Sequence, residues 1–360
     1  MKPTAIDLFC GAGGLTRGLV SEGFDVLAAF DNWAPAVRSY RINFPDHLCF
    51  QDDVADINTE RLAALGLMDV DLVAGGPPCQ GFSAQRIGAN EDHRNELVHA
   101  FGRVVINARA RMFVMENVRG LLGGRGRATV SRFVAEMEEA GYQVTHRVLD
   151  AAEYGVPQNR LRVFFVGRRR GVTDYFTFPV PTVVRRRTVA EALADLPEPP
   201  ADLVPFPGDP LHRRSRLSEL NQRRIALIPP GGGFEDLPVD LRVACHKNGA
   251  ARIGHRAVYG RLHPDRPAGT ITARFDSFTR GRFGHPVEPR NLTLREGARL
   301  QSFPDDHQFV GTQEEIAAQI GNAIPPLLAK AVARSAREAL KGRPAPTGLQ
   351  PLAPLLATAE

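Results

Sequence analysis

Short apolar runs recur through the first 170 residues, at 4–9, 25–30, 47–51, 70–74, 112–115, 143–149 and 163–166. Each has the length and β-branched or aromatic content of a strand. Between them, residues 14–22, 34–43, 96–108 and 127–140 repeat their apolar positions at helical spacing. This alternation predicts an α/β fold: a Rossmann-like, mostly parallel sheet flanked by helices, with strands apolar because both faces are covered. Ligands of such sheets bind beyond the carboxyl ends of the strands, so the polar residues that directly follow each run are the candidates for chemistry.

Farther along the pattern changes. Prolines crowd residues 179–210, which marks a boundary, and residues 211–292 lack long amphipathic periods. That region predicts a smaller, irregular, β-rich domain of short strands and loops. Helical spacing returns at 294–303 and 314–340, whereas the Pro/Ala-rich tail at 342–360 has the composition of a disordered segment. The expected division is a catalytic and cofactor-binding domain at 1–178 completed by 293–341, with a recognition domain at 195–292.

Composition narrows the classes. At 360 residues and 43% hydrophobic content the chain can bury a large core, and no run of eighteen apolar residues or signal-peptide layout is present. A soluble cytoplasmic protein without membrane attachment is expected. Cys10, Cys49, Cys79 and Cys245 are widely spaced, in no metal-ligand or disulfide pattern, so free thiols and no metal are expected. Net charge is +5, but residues 211–290 carry fifteen Lys/Arg against seven Asp/Glu, which leaves the rest of the chain at about −3. A basic segment in a near-neutral chain is the footprint of a phosphate-bearing partner, nucleic acid first.

Four segments and two strand-end acids carry chemistry. Asp7-Leu8-Phe9-Cys10-Gly11-Ala12-Gly13-Gly14-Leu15 runs from a strand through a glycine-rich turn into a helix. Its spacing is not G-x-G-x-x-G, so a nucleoside without pyrophosphate fits it better than NAD. Asp31 and Asp53 end the next two strands, where a carboxylate either caps a helix or accepts hydrogen bonds from ribose hydroxyls and an adenine amino group. Gly75-Gly76-Pro77-Pro78-Cys79-Gln80-Gly81-Phe82-Ser83 places a cysteine just beyond the fourth strand, on backbone fixed by two prolines. Such a thiol is either a small buried hydrophobe or a nucleophile. Glu116, in Met115-Glu116-Asn117-Val118, follows an apolar run, and desolvation there would raise its pKa enough to donate a proton near neutrality. Gln158, Arg160 and Arg162 alternate into the last strand on one face, either solvated or directed at the glutamate and at phosphate.

In this order the motifs resemble those of the cytosine-C5 DNA methyltransferases, from about residue 6 to residue 340. The resemblance adds Asp53-Val54, Pro267-Ala268-Gly269-Thr270-Ile271-Thr272 and Gln319-Ile320-Gly321-Asn322-Ala323 to the segments above. It implies S-adenosyl-L-methionine as cofactor and double-stranded DNA as partner. Cys79 would attack C6 of a flipped-out cytosine, Glu116 would engage N3, Arg162 would orient Glu116 and the base, and Arg160 would support that loop. Phe9, Gly11, Gly13, Gly14, Asp31, Asn32, Asp53, Val54, Pro78 and Asn322 would line the cofactor pocket. Relatives place an aromatic or apolar residue directly after the strand-two acid; here Asn32 comes first and Trp33 second, so adenine stacking departs from the pattern.

The basic region occupies the place of the family's target recognition domain. Candidates for DNA contact are Gln80 and Ser83 just past Cys79, Arg86 in the segment 84–94 that the resemblance implies closes over DNA, and Arg213, Arg214, Arg223, Arg224, Lys247, Arg252 and Arg274. The enzyme is expected to act as a monomer on DNA in a bacterial or phage-borne setting, with or without a cognate restriction endonuclease. Three alternatives stay open at this point: a tRNA cytosine-C5 methyltransferase, a non-catalytic DNA-binding regulator on the same fold, and a Rossmann oxidoreductase, which the glycine spacing disfavours.

Overall fold

The computed structural model describes residues 2–78, 96–172, 176–243 and 257–341. Seven strands form one sheet: β1 (Thr4–Leu8), β2 (Asp25–Phe30), β3 (Leu48–Phe50), β4 (Leu72–Gly75), β5 (Met112–Val118), β6 (Tyr142–Asp150) and β7 (Leu161–Arg169), in spatial order β3-β2-β1-β4-β5-β7-β6. The neighbours among β1 to β5 are parallel, while β7 runs antiparallel to both β5 and β6. Each expected strand is present within a few residues of its expected ends. The largest differences are β7, longer at both ends, and β5, which continues through Glu116, Asn117 and Val118 because β7 supplies ladder partners there (Phe164, Val163 and Arg162). Polar residues that read as a strand end are held in the strand by a neighbour far away in sequence.

Helices α1 (Gly14–Ser21), α2 (Ala34–Asn43), α3 (Thr59–Ala64), α4 (Glu96–Asn107) and α5 (Arg127–Glu139) connect these strands. Only α3 is absent from the sequence pattern; it is six residues long and starts at Asn58, whose side chain accepts from Arg61 N. One face of the sheet buries Ile6, Phe30, Leu62, Phe101, Phe113 and Phe133 together. Full burial of such side chains stabilises by about 1.5–3 kcal/mol each relative to exposure. The other face packs Ala5, Leu72 and Met112 beneath the last helix, through Leu328, Val332 and Ala336.

After the sheet come α6 (Val189–Leu193), α7 (Glu219–Leu227), a two-stranded ladder of β8 (Gly260–Arg261) and β9 (Arg282–Gly284), then α8 (Leu294–Leu300), α9 (Gln313–Asn322) and α10 (Pro326–Leu340). The stretch expected as a single helix at 314–340 is two helices. Ala323 is extended and ends the first helix, Pro325 is kept from helical geometry by the proline that follows it, and Pro326 then fits the first turn of α10. Gln313–Leu340 passes a membrane-span test of length and composition, but 72% of its apolar window is buried inside the protein. One apolar cluster runs from Val189 and Leu193 through Leu262, Ile271 and Phe283 into Leu300 and Ile320. A separate small one joins Ile225, Ile228, Phe234, Leu237 and Phe278.

Candidate active site

The glycine turn between β1 and α1 is built on left-handed backbone. Gly11 and Gly13 have φ of 56° and 91°, and Phe9 reaches 56° despite its side chain, a conformation that costs about 1–3 kcal/mol. Asp31, at the end of β2, fixes this shape: Oδ2 accepts from Gly11 N at 2.9 Å and Oδ1 from Trp33 N at 2.8 Å. Burial pushes the Asp31 carboxyl up from the usual carboxylate range, and the two amides oppose that shift. Asp53 caps the short turn Val54–Asp56 through Ala55 N at 2.9 Å and accepts from Asn32 Nδ2 at 3.2 Å. Val54 points its side chain into the core. Nothing lies within 4 Å of the place a Cβ would take on Gly11, so the turn leaves an open cradle beside Asp31.

Polar groups beneath the turn hold it from behind. Thr16 Oγ1 donates to Asp7 Oδ2 at 2.6 Å and lies 3.0 Å from the Tyr40 hydroxyl, which is 3.2 Å from His47 Nδ1. Asp7 is wholly buried, and desolvation pushes its carboxyl up to about 7. His307, also buried, has Nε2 2.9 Å from Ala12 O and accepts from Arg17 Nε at its Nδ1 at 3.0 Å. Burial lowers its pKa to about 3, so the ring is neutral, with the Nε2 proton directed at the Ala12 carbonyl. Neither Asp7 nor His307 was a candidate from sequence: a lone acid inside an apolar strand is a weak signal, and His307 lies 295 residues from the carbonyl it meets.

At the neighbouring strand ends, Arg162 Nε lies 2.8 Å from Glu116 Oε1. Both side chains are about nine-tenths buried. Burial raises the Glu116 pKa, with Arg162 and then Arg160 drawing it back down. The backbone of Gly76, past β4, faces the same carboxyl: a Cβ there would sit 3.2 Å from Glu116 Oε2. Asn117 Nδ2 donates to Pro77 O at 3.1 Å and ties the segment leading to Cys79 onto β5. Arg160, expected at the glutamate loop, gives its terminal nitrogens to three carbonyls instead, Ile271 at 2.8 Å and Gly321 and Ala323 at 3.0 Å each. Asn322 is exposed at the end of α9, and a Cβ on Gly14 would clash with the Ile324 carbonyl oxygen, which brings the end of α9 against the glycine turn.

A glycine cradle braced by an acid, joined to a buried Glu–Arg pair, is matched across nearly the whole chain: residues 4–338 fit the model of the C-5 cytosine-specific DNA methylases. The chain belongs to that family. Among its relatives, the Type II methylase M.HgiDII of Herpetosiphon aurantiacus is 33% identical over 347 residues, covering 95% of this chain and 97% of the relative. The Type II methyltransferase M1.HphI of Haemophilus parahaemolyticus is 36% identical, with 93% and 87% covered. A solved structure described as a prophage-encoded DNA modification methyltransferase (E. coli) superposes with a TM-score of 0.75 at 27% identity, covering 94% of this chain and all of that one. The protein is a DNA cytosine-C5 methyltransferase, and its substrates are therefore DNA and a methyl donor.

For this methylase the structure sorts the arginines expected at DNA. Arg213 and Arg223 are exposed. Arg214 is committed elsewhere: it pairs with Glu198 and, at 3.0 Å, with Glu288, and donates to Pro199 O at 2.9 Å. Arg224 is 9% exposed, donates to Leu241 O at 2.8 Å and lies over the Tyr259 ring, so it packs the small cluster under α7 rather than facing a partner. Arg274 pairs with Asp276 at 3.2 Å and Glu314 at 3.1 Å. Cys79, Gln80, Ser83, Arg86, Lys247 and Arg252, and the tail 342–360, lie outside the described residues.

Proposed function

We propose that this methylase transfers the methyl group of S-adenosyl-L-methionine to C5 of a cytosine flipped out of a specific duplex DNA sequence, with Cys79 as the nucleophile. The observation that carries the reading is the buried Arg162–Glu116 pair beside the backbone of Gly76, three residues ahead of Cys79 in the chain. The cofactor fits the residues present: the Gly11 cradle is open, Asp31 keeps lone pairs beyond the two amides it accepts, and Pro78 and Asn322 are exposed and would line the pocket. Phe9, Gly13, Gly14 and Asp53 would complete the wall. When bound, the cofactor supplies an electrophilic methyl group.

The chain's own residues do the rest. The Cys79 thiolate adds to C6 of the cytosine, and electron density moves through the ring toward N3. Glu116, whose pKa burial raises, supplies the proton to N3 and takes up that charge, so C5 gains nucleophilic character. Arg162 holds the Glu116 carboxyl in place for the donation. After methylation a base removes the C5 proton, the electron pair restores the C5–C6 double bond, and Cys79 leaves as thiolate. Extrusion of the base gives the thiol access to an atom that is shielded within the stack.

The exposed Arg213 and Arg223, with the basic composition of residues 211–290, support a recognition role for residues 195–292. Relatives named as Type II methyltransferases support a setting beside a cognate restriction endonuclease in the bacterial cytoplasm. The test compares methyl incorporation into duplex DNA and tRNA. Labelling of duplex DNA, lost in Cys79→Ser and accompanied by a Cys79-dependent covalent complex on 5-fluorocytosine DNA, is expected. Exclusive labelling of tRNA, or a stable adduct formed by the serine variant, would overturn the reading.

A further inference from the structure

Gln158, Arg160 and Gln301 form a buried polar junction that no reaction step above uses. Each is at most 2% exposed. Ile271 N donates to Gln158 Oε1 at 3.0 Å, and Gln158 Nε2 donates to Leu300 O at 2.8 Å and Gln301 Oε1 at 2.6 Å. Gln301 Nε2 in turn donates to Ile320 O at 2.6 Å and Gly321 O at 3.3 Å. With the Arg160 bonds to Gly321 O and Ala323 O, the junction meets the carbonyls that a helix C-terminus leaves without internal partners. The Arg160 cation also faces the negative end of the α9 dipole.

Asn322 lies between the two carbonyls that Arg160 grips, and the Ile324 carbonyl beyond them packs against Gly14. Gly321 itself sits flat on the Thr272 carbonyl, where a Cβ would clash. The end of α9 is thus seated on backbone at 271–272 and fastened by three side chains from two distant parts of the chain. Of the polar atoms in this junction only Arg160 Nε lacks a partner among the described residues, and because unmade buried bonds are costly the arrangement has little freedom to shift.

We propose that Gln158, Arg160 and Gln301 are positioning residues for the cofactor side of the site: they fix the end of α9 so that Asn322 and Ile324 close on the glycine turn. Arg160 and Arg162, two residues apart, then serve opposite halves of the reaction, Arg162 the glutamate and Arg160 the cofactor wall. The inference rests on the reading that the turn and Asn322 hold S-adenosylmethionine.

The test uses full-length enzyme on duplex DNA and separates the halves. Release of tritium from 5-tritiated cytosine without cofactor reads thiol addition at C6, because the adduct takes a solvent proton at C5 and loses tritium before the thiolate leaves. Methyl transfer at varied S-adenosylmethionine reads the cofactor side. Arg160→Met and Gln301→Glu are expected to raise the KM for S-adenosylmethionine by at least about tenfold, as loss of a buried donor would, and to change kcat and tritium release by less than the KM. Arg160→Lys is expected to recover part of the loss. Arg162→Lys is expected to show the reverse split, with tritium release falling more than the KM rises. An unchanged KM in the first two variants, or KM and tritium release worsening in proportion, overturns the proposal. Should Arg160→Met fail to fold by its Tm, Gln301→Glu decides by the same split, since it drops the donor to Ile320 O and keeps an acceptor for Gln158. A wild-type enzyme that neither binds S-adenosylmethionine nor releases tritium would sink the functional reading instead, a result distinct from wild-type activity with no split among the variants.

Discussion

Arg162 and Glu116 meet at 2.8 Å across the antiparallel pair of β5 and β7, with the cation holding down a carboxyl pKa that burial alone would push higher. Removing the cation therefore does two separable things. In Arg162→Gln the Glu116 pKa rises further, so the alkaline limb of kcat/KM, where the protonated glutamate is lost, moves to higher pH. The plateau falls on the order of 10²-fold because the carboxyl is no longer aimed. A pH profile of kcat/KM checks both; an alkaline limb that moves down would show that Arg162 does not act on Glu116.

Gly14 and Ile324 form one of the contacts that join distant parts of the chain at the glycine turn. Gly14→Ala forces its new methyl against the Ile324 carbonyl oxygen. A loss of about 1–3 kcal/mol in stability is expected, as for other overpacked sites, together with weaker S-adenosylmethionine binding. Denaturant unfolding and calorimetric titration measure the two effects. Unchanged values in both would mean that the turn and the end of α9 can separate at no cost.

Asp7 makes stability depend on pH in an unusual direction for an acid. Its folded pKa, about 7, lies above the ordinary carboxylate value of 3.8, so the folded state holds a proton that the unfolded chain releases. The stability it contributes is fully present below the ordinary range and is lost as pH rises through about 7. Thr16 donates to Oδ2 and Oδ1 has no partner among the described residues, which leaves Oδ1 to carry the proton. Asp7→Asn stays neutral throughout, so its Tm should gain on wild type between about pH 5 and about pH 8. A constant difference across that range would mean that Asp7 is ionised in the folded protein.

Local pattern made the sheet legible. Apolar runs bounded by glycine and acid residues located all seven strands, and the strand-end residues Asp31 and Glu116 stood out because polar groups there interrupt an apolar rhythm. Contacts made across the chain were not legible. Nothing near Glu116 announces that Phe164 will extend its strand, and nothing near Gln301 announces Gln158, 143 residues earlier. Charge misled in one respect: Arg214 and Arg224 counted toward a basic surface, yet each is spent on protein partners, because an arginine's long stem lets it reach inward carbonyls and carboxylates as easily as solvent. The single helix expected at 314–340 followed the apolar period on either side of Pro325 and Pro326, the prolines at which the structure divides it.

The packing of α10 over the second face of the sheet, together with the meeting of Ile324 and Gly14, has a consequence for how the enzyme comes into being. The glycine turn is synthesised about three hundred residues ahead of the Ile324 carbonyl that closes on Gly14. A nascent chain halted before residue 326 holds Glu116, Arg160 and Arg162 and still lacks the cover over Ala5, Leu72 and Met112. Termination before α10 therefore leaves apolar surface exposed on the second face of the sheet, so methylation is expected only once α10 has been made.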